Sequence, residues 1–217
     1  MMLRKLLCRR APRLQARFIS SSFDAPPQQL SASGQPGRVL FGAKAAATQL
    51  GALSCEVGMR KVLLVRDQDA AAAARAQYAE FLLMQAGLPC FQYTLERDCG
   101  TLEGVDHAAS TAQRVGADGV VAFGGGNTMD VARAVAVLLA EGGSATDFVT
   151  PVGDDEDDVE ELTLQDDAQL KAVPLLLVPT IAGSGAEVAC NTLLLDEDAE
   201  TKLLFAPGRK IVPEVYR

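Results

Sequence analysis

The sequence predicts an α/β fold, a parallel sheet with helices on both faces, and three features carry that expectation. Short apolar runs bounded by charge, such as KVLLVRD (61–67), have the length and β-branched content of strands buried on both sides. Alanine-rich stretches with helical spacing separate these runs at regular intervals. Glycine-rich turns stand directly behind two of the runs, in GVVAFGGG and LLLVPTIAGSG, where a strand would hand over to a helix.

Taken in order, residues 1–22 contain Arg4, Lys5, Arg9, Arg10, Arg13 and Arg17 between leucines, no acid, and a serine cluster at Ser20, Ser21 and Ser22. An Arg-rich, Ser-rich, acid-free start without a continuous apolar core is expected to be a mitochondrial transit peptide, addressing the chain to the matrix. A basic tail of the mature protein is the alternative. Residues 23–37, with DAPPQQLSASGQPG, are too rich in Pro, Gly, Ser and Gln to pack and read as a linker. Residues 38–217 are expected to be the α/β domain.

Within it, VLFG (39–42) reads as a short strand and AKAAATQLGAL as a helix, with Gly58 breaking the chain before the strand that ends at Asp67. A long helix is expected over 70–86, stopped by Gly87 and Pro89, then a strand over 90–95 and a helix over 105–115 that carries His107 and ends at Gly116. GVVAFGGGNTMDVARAVAVLLAEGG follows as strand, triple glycine and helix, and the last clear strand is expected over 173–178. Between them lies an acidic loop over 151–171, in which GDDEDDVEELTLQDDAQ holds nine acids and no base. It lacks the ordered spacing and turn glycine of a calcium loop and is read as a solvated surface loop.

Composition excludes several classes of function. No run of about 18 apolar residues exists, so no spanning helix and no membrane partner is expected. The five cysteines form no CxxC pair, which argues against a zinc ribbon and a disulfide framework. The single histidine, His107, removes most His-based metal sites and catalytic triads. The net charge of −8 conceals a split: beyond residue 23, the chain carries 14 bases against 28 acids. Nucleic acid is therefore not an expected partner, since phosphate neutralisation needs a basic face.

The glycine turns are where chemistry enters. Three glycines leading from a strand into a helix let a ligand's backbone contacts form without Cβ obstruction, and first-turn N–H groups with the helix dipole favour a phosphate. GGGNTMD is neither GxGxxG nor a P-loop. Asn127 suits a helix N-cap, and Asp130 three residues on completes a capping-box-like pair expected to orient the loop. In PTIAGSGAEV (179–188), Thr180 and Ser184 offer hydroxyls while Gly183 and Gly185 permit close approach. Asp67, at a strand end, could accept from a ribose 2′-hydroxyl.

These segments resemble the iron-containing (group III) alcohol dehydrogenase family. GGGNTMDVARA is similar to its GGGSxxDxAK segment and PTIAGSGAEV to its PTTAGTGSE segment, while VLLVRD matches the strand ending in a ribose-contacting aspartate. The resemblance runs from about Val39 onward. The order of its motifs and the transit-like start look most like the mitochondrial hydroxyacid–oxoacid transhydrogenase branch. It implies a Rossmann-like nucleotide-binding domain and NAD or NADP as cofactor, with contacts on Asp67, Gly124, Gly125, Gly126, Asn127, Thr180, Ser184, Asn191 and Lys202. It also implies hydride transfer between a hydroxy acid such as 4-hydroxybutyrate and an oxo acid such as 2-oxoglutarate, or an alcohol substrate.

Departures from the pattern are Asn127 for serine, Ile181 for a second threonine and Arg133 for lysine. The family's iron is held by one Asp and three His of an all-helical domain. One histidine, upstream of both motifs, cannot supply that set, so this chain is expected to hold the cofactor and not the iron. The sequence is consistent with the nucleotide-binding part of such an enzyme, from an incomplete gene model, an isoform or a degenerate paralogue. A face normally covered by the helical domain would then be left apolar and open to self-association as a homo-oligomer. A non-catalytic nucleotide-binding or regulatory module of the same descent is the competing reading. A related metal-dependent fold acting on polyols or sugar phosphates is a third.

Overall fold

A computed structural model of the chain describes residues 28–30, 38–96, 100–151, 171–189, 192–205 and 215–216. The expected transit segment and nearly all of the acidic loop lie outside the described residues.

Strand and helix alternate as the sequence pattern requires. After β1 (Gln28–Leu30) and β2 (Arg38–Phe41) come α1 (Ala45–Glu56), β3 (Val62–Arg66), α2 (Ala70–Gln85), β4 (Cys90–Thr94), α3 (Leu102–Val115), β5 (Gly119–Gly124) and α4 (Gly126–Glu141). A 3-10 turn (Ala145–Phe148) leads into β6 (Val149–Pro151), and β7 (Leu175–Pro179), β8 (Thr192–Asp196), β9 (Thr201–Phe205) and β10 (Val215–Tyr216) complete the order. The main sheet runs β1-β2-β10-β7-β5-β3-β4, parallel throughout except for β1.

The period-2 alternation of the central strands places helices on both faces. Leu63, Val65, Val120, Ala122, Leu175 and Leu177 enter a core shared with α3 and α4. Their neighbours Val62, Leu64, Val121, Leu176 and Val178 enter a second core with α1 and α2. All of these side chains are buried, which is why the strands read as continuous apolar runs rather than alternating ones.

The chain passes from β3 through α2 to β4 on one side of β3, then through α3 to β5 on the other. Because α2 and α4 lie on opposite faces, the chain leaves the adjacent carboxyl ends of β3 and β5 in opposite directions. Such a reversal opens a crevice at that end of the sheet, the place where open α/β sheets take ligands.

Three expectations need correction. Residues 28–30, read as part of a linker, pair antiparallel with Val39, Leu40 and Phe41, because strand pairing satisfies backbone groups whatever the local composition. The helix read from Val105 begins at Leu102, where the Thr101 hydroxyl accepts the Gly104 N–H at 3.0 Å. The strand over 175–179 is not the last: β8 and β9 follow it and pair with the earlier β6 in a separate antiparallel sheet, and β10 joins the main sheet. Leu194, Leu203 and Phe205 join that sheet to the α3/α4 core, and the Leu195 N–H bonds the Gly100 carbonyl at 2.8 Å.

Candidate nucleotide-binding site

Parallel register brings three strand ends to one edge. Arg66 pairs with Phe123 and Gly124 with Pro179, so Asp67, the triple glycine and Thr180 follow from adjacent strands at the same level. Direct bonds close the junction. The Thr180 N–H donates to the Gly124 carbonyl at 2.9 Å, and the Gly125 N–H donates to Asp67 Oδ2 at 3.0 Å. The Thr128 hydroxyl donates to Asp67 Oδ1.

Each glycine of the turn has a different reason to be glycine. A Cβ on Gly124 would lie 2.6 Å from Thr128 Oγ1 and 2.8 Å from Asp67 Oδ1, closer than packed atoms can come. At Gly126 it would lie 3.2 Å from the Ser184 Cβ, so the turn and the 180–185 loop are pressed together. At Gly125 the nearest atom would be the Ile181 Cδ1, at 3.6 Å, an ordinary contact. The backbone of Gly125, at φ −83°, is also open to other residues. Nothing in the described fold therefore demands glycine at 125, which is consistent with a position kept clear for a ligand.

Helix α4 starts at Gly126 with Gly125 as its N-cap and no side-chain cap. This corrects the expectation for Asn127, which is an exposed second residue of the helix rather than its cap. Asp130 does not form a capping box either; its Oδ1 pairs with Arg133 Nη1 at 3.0 Å. Burial pushes the Asp130 carboxyl up to about 7, against the opposing pull of the Arg133 guanidinium and its hydrogen bonds.

Opposite the glycine turn, Ile181, Ala182, Gly183 and Ser184 are exposed, with φ of +119° at Gly183 and +67° at Gly185. The Ser184 hydroxyl accepts the Ala186 N–H at 3.3 Å. Thr180 Oγ1 is buried and has no hydrogen-bond partner among the described residues. An unsatisfied buried hydroxyl costs about 1–3 kcal/mol, so it marks a place where a polar ligand atom would be favoured.

Asp67, Gly124, Gly125, Gly126, Thr180 and Ser184 are thus brought together, with Asn127 at the rim. Lys202 is elsewhere, exposed on β9 opposite Leu195 in the second sheet. Asn191 lies outside the described residues. Arg66, next to Asp67 in the chain, donates from Nε to Gln92 at 3.0 Å and from Nη1 to the Asp67 carbonyl at 2.9 Å. Sequence reasoning gave Arg133 only a conservative place in a motif. Its complete burial was not visible there, although a cation four residues inside the apolar face MDVARAVAVLL was the available signal.

A second concavity, about 240 Å³, lies between the end of β4 and the start of α3, lined by Glu96, Glu103, Glu197, Tyr93 and His107. Its carboxylates disfavour an anion. The single histidine sits here, its Nδ1 3.2 Å from the Tyr93 hydroxyl. Among the described residues no group of three or more His, Cys, Asp or Glu side chains is arranged to hold a metal ion.

Residues 36–216 match the sequence profile described as "Iron-containing alcohol dehydrogenase". Among curated relatives, a 4-hydroxybutyrate dehydrogenase from Cupriavidus necator is 33% identical over 66% of this chain and 35% of its own length. The sulfoacetaldehyde reductase of Bifidobacterium kashiwanohense, solved in complex with NAD+, has the same fold at a TM-score of 0.66 and 23% identity, covering 86% of this chain and 45% of that one. An NADH-dependent butanol dehydrogenase from Thermotoga maritima does so at a TM-score of 0.65 and 21% identity, covering 88% and 44%. The chain spans about a third of the length of that curated relative and under half of the solved ones.

Proposed function

Because the chain belongs to the iron-containing alcohol dehydrogenase family, we propose that its α/β domain binds NAD at the junction of β3, β5 and β7 and serves hydride transfer at a small hydroxy acid. The observation that carries the reading is the meeting of Asp67, the glycine turn and the Thr180 and Ser184 loop at adjacent strand ends. A pyrophosphate would enter over Gly125, where no Cβ intervenes, with Thr180 and Ser184 as hydroxyl donors. Two relatives of the same fold, by their own descriptions, bind NAD+ or use NADH.

Asp67 bears on which dinucleotide is held. A carboxylate has about four acceptor positions, and the Gly125 N–H and Thr128 hydroxyl use two, leaving room for a ribose hydroxyl. A 2′-phosphate in the same place would face that carboxylate, and Arg66 already gives two of its five N–H groups to Gln92 and the Asp67 carbonyl. NAD is therefore preferred over NADP. The 4-hydroxybutyrate dehydrogenase relative supports a hydroxy acid, and the transhydrogenase reaction, with an oxo acid as second substrate, is our reading of the motif order. The basic residues 1–22 support a mitochondrial address.

The family's iron finds no donor set among the described residues, and the chemistry assigned here is confined to holding and orienting the dinucleotide. Equilibrium titration of the full chain with NAD+ and NADP+ tests it. Wild type should prefer NAD+ by about tenfold or more, given about 1–4 kcal/mol of repulsion between close like charges. Asp67→Asn keeps an oxygen for the Gly125 N–H but loses the charge, and should narrow that ratio. A wild type preferring NADP+ would overturn the assignment of Asp67.

A further inference from the structure

We propose that Arg133 is a positioning residue for this site, a buried guanidinium that holds the 180–185 loop against the glycine turn. The inference rests on the nucleotide-binding reading of that turn. Arg133 is 0% exposed, on the inner face of α4. Its planar fork ties its own helix to two other pieces of chain: Nη1 lies 3.0 Å from Asp130 Oδ1 on α4 and 3.4 Å from the Thr192 hydroxyl on β8, and Nη2 donates to the Ala186 carbonyl at the far end of the loop.

The loop has no strand or helix of its own between Thr180 and Gly185. Its near end is fixed by the Thr180 N–H on Gly124, and its far end by Arg133 on Ala186. Between those anchors four consecutive residues are exposed, and Ser184 rests against Gly126. Releasing the far anchor would let Ser184 leave the turn, so that the hydroxyls no longer converge where a phosphate would sit. A guanidinium buried this deeply is poor stabilisation compared with an apolar side chain of its size, which suits a role in fixing one loop geometry. Asp130, Thr192 and Ala186 give that guanidinium the oxygen acceptors its burial requires.

The test compares full-length wild type, Arg133→Met and Arg133→Lys by calorimetric titration with NAD+ and by amide hydrogen exchange. Arg133→Met should weaken NAD+ about tenfold or more and speed exchange at 180–189, with β3 and β5 keeping their protection. Arg133→Lys, which can still donate to Ala186, should stay within about threefold of wild type. Where Arg133→Met does not fold, Thr192→Val decides, since it leaves the charge pair intact; it should speed exchange at 180–189 and weaken binding about threefold. Wild-type affinity and exchange in the folded variant would overturn the proposal. A wild type with no NAD+ affinity would instead defeat the nucleotide reading, and the exchange pattern alone would then decide the role of Arg133.

Discussion

Asp130 is acidic and nearly neutral at once, and its environment sets the sign of a pH effect. Burial holds its folded-state pKa at about 7, above the ordinary value of 3.8. Between those values the folded chain keeps a proton that the unfolded chain has released. The stability this group contributes is therefore complete below about pH 4 and is lost as pH rises through about 7. Asp118 titrates outside that window: its partial burial is outweighed by the N–H groups of Arg60 and Lys61 and by the Arg60 guanidinium, which hold it below the ordinary value. The melting temperature of wild type should fall between pH 5 and pH 8, and Asp130→Asn should flatten that slope whatever it does to the absolute value. An unchanged slope in the variant would assign the effect to other groups. None of this was legible in the sequence, where Asp130 read as half of a capping box. The spacing of Asp130 and Arg133 is visible in the sequence; the burial that raises the carboxyl's pKa comes only from packing.

The helices and buried strands were legible because each is dictated by its own sequence. The apolar runs over β3, β5 and β7 have room for no other structure, and a glycine stands in the left-handed region immediately beyond the end of α3, at Gly116. The second sheet carries a weaker signal in the sequence. TLLLD and TKLLF flank the four residues EDAE, three of them acidic, the spacing of a hairpin, and Asp196 Oδ1 accepts the N–H groups of Asp198 and Ala199 at 3.0 and 3.1 Å to close the turn. Only pairing with β6, far back in the chain, completes that sheet. The start of α3 offers a test at this scale. Thr101 caps the helix by accepting the Gly104 N–H with its hydroxyl, while its bridge to Leu195 of β8 is main-chain and survives substitution, so Thr101→Ala should destabilise the chain by the cap alone, about 1 kcal/mol in denaturant unfolding. A loss below a few tenths would mean the cap is replaced by water.

For the whole molecule, the site is a product of topology more than of any one motif. The glycine turn in isolation is a tight turn before a helix, and Asp67 in isolation is a surface acid. The reversal of direction between β4 and β5 makes them neighbours of one crevice, and that reversal is invisible in a sequence read from end to end. Asp67, the glycine turn, Thr180 and Ser184, each readable from its own segment, meet at one junction, while Lys202, which only the family resemblance implied, stands on another sheet. Substitutions at the glycines separate a dinucleotide site over Gly125 from a purely structural turn. Gly124→Ala forces a Cβ into Thr128 and Asp67 and should destabilise the fold by about 1–3 kcal/mol. Gly125→Ala meets nothing closer than 3.6 Å in the protein and should leave the melting temperature nearly unchanged. Calorimetric titration of NAD+ into wild type and Gly125→Ala is the most direct measurement: a dinucleotide site over Gly125 gives saturable binding by wild type and its loss in a variant of undiminished stability, and equal affinity in the two would contradict it.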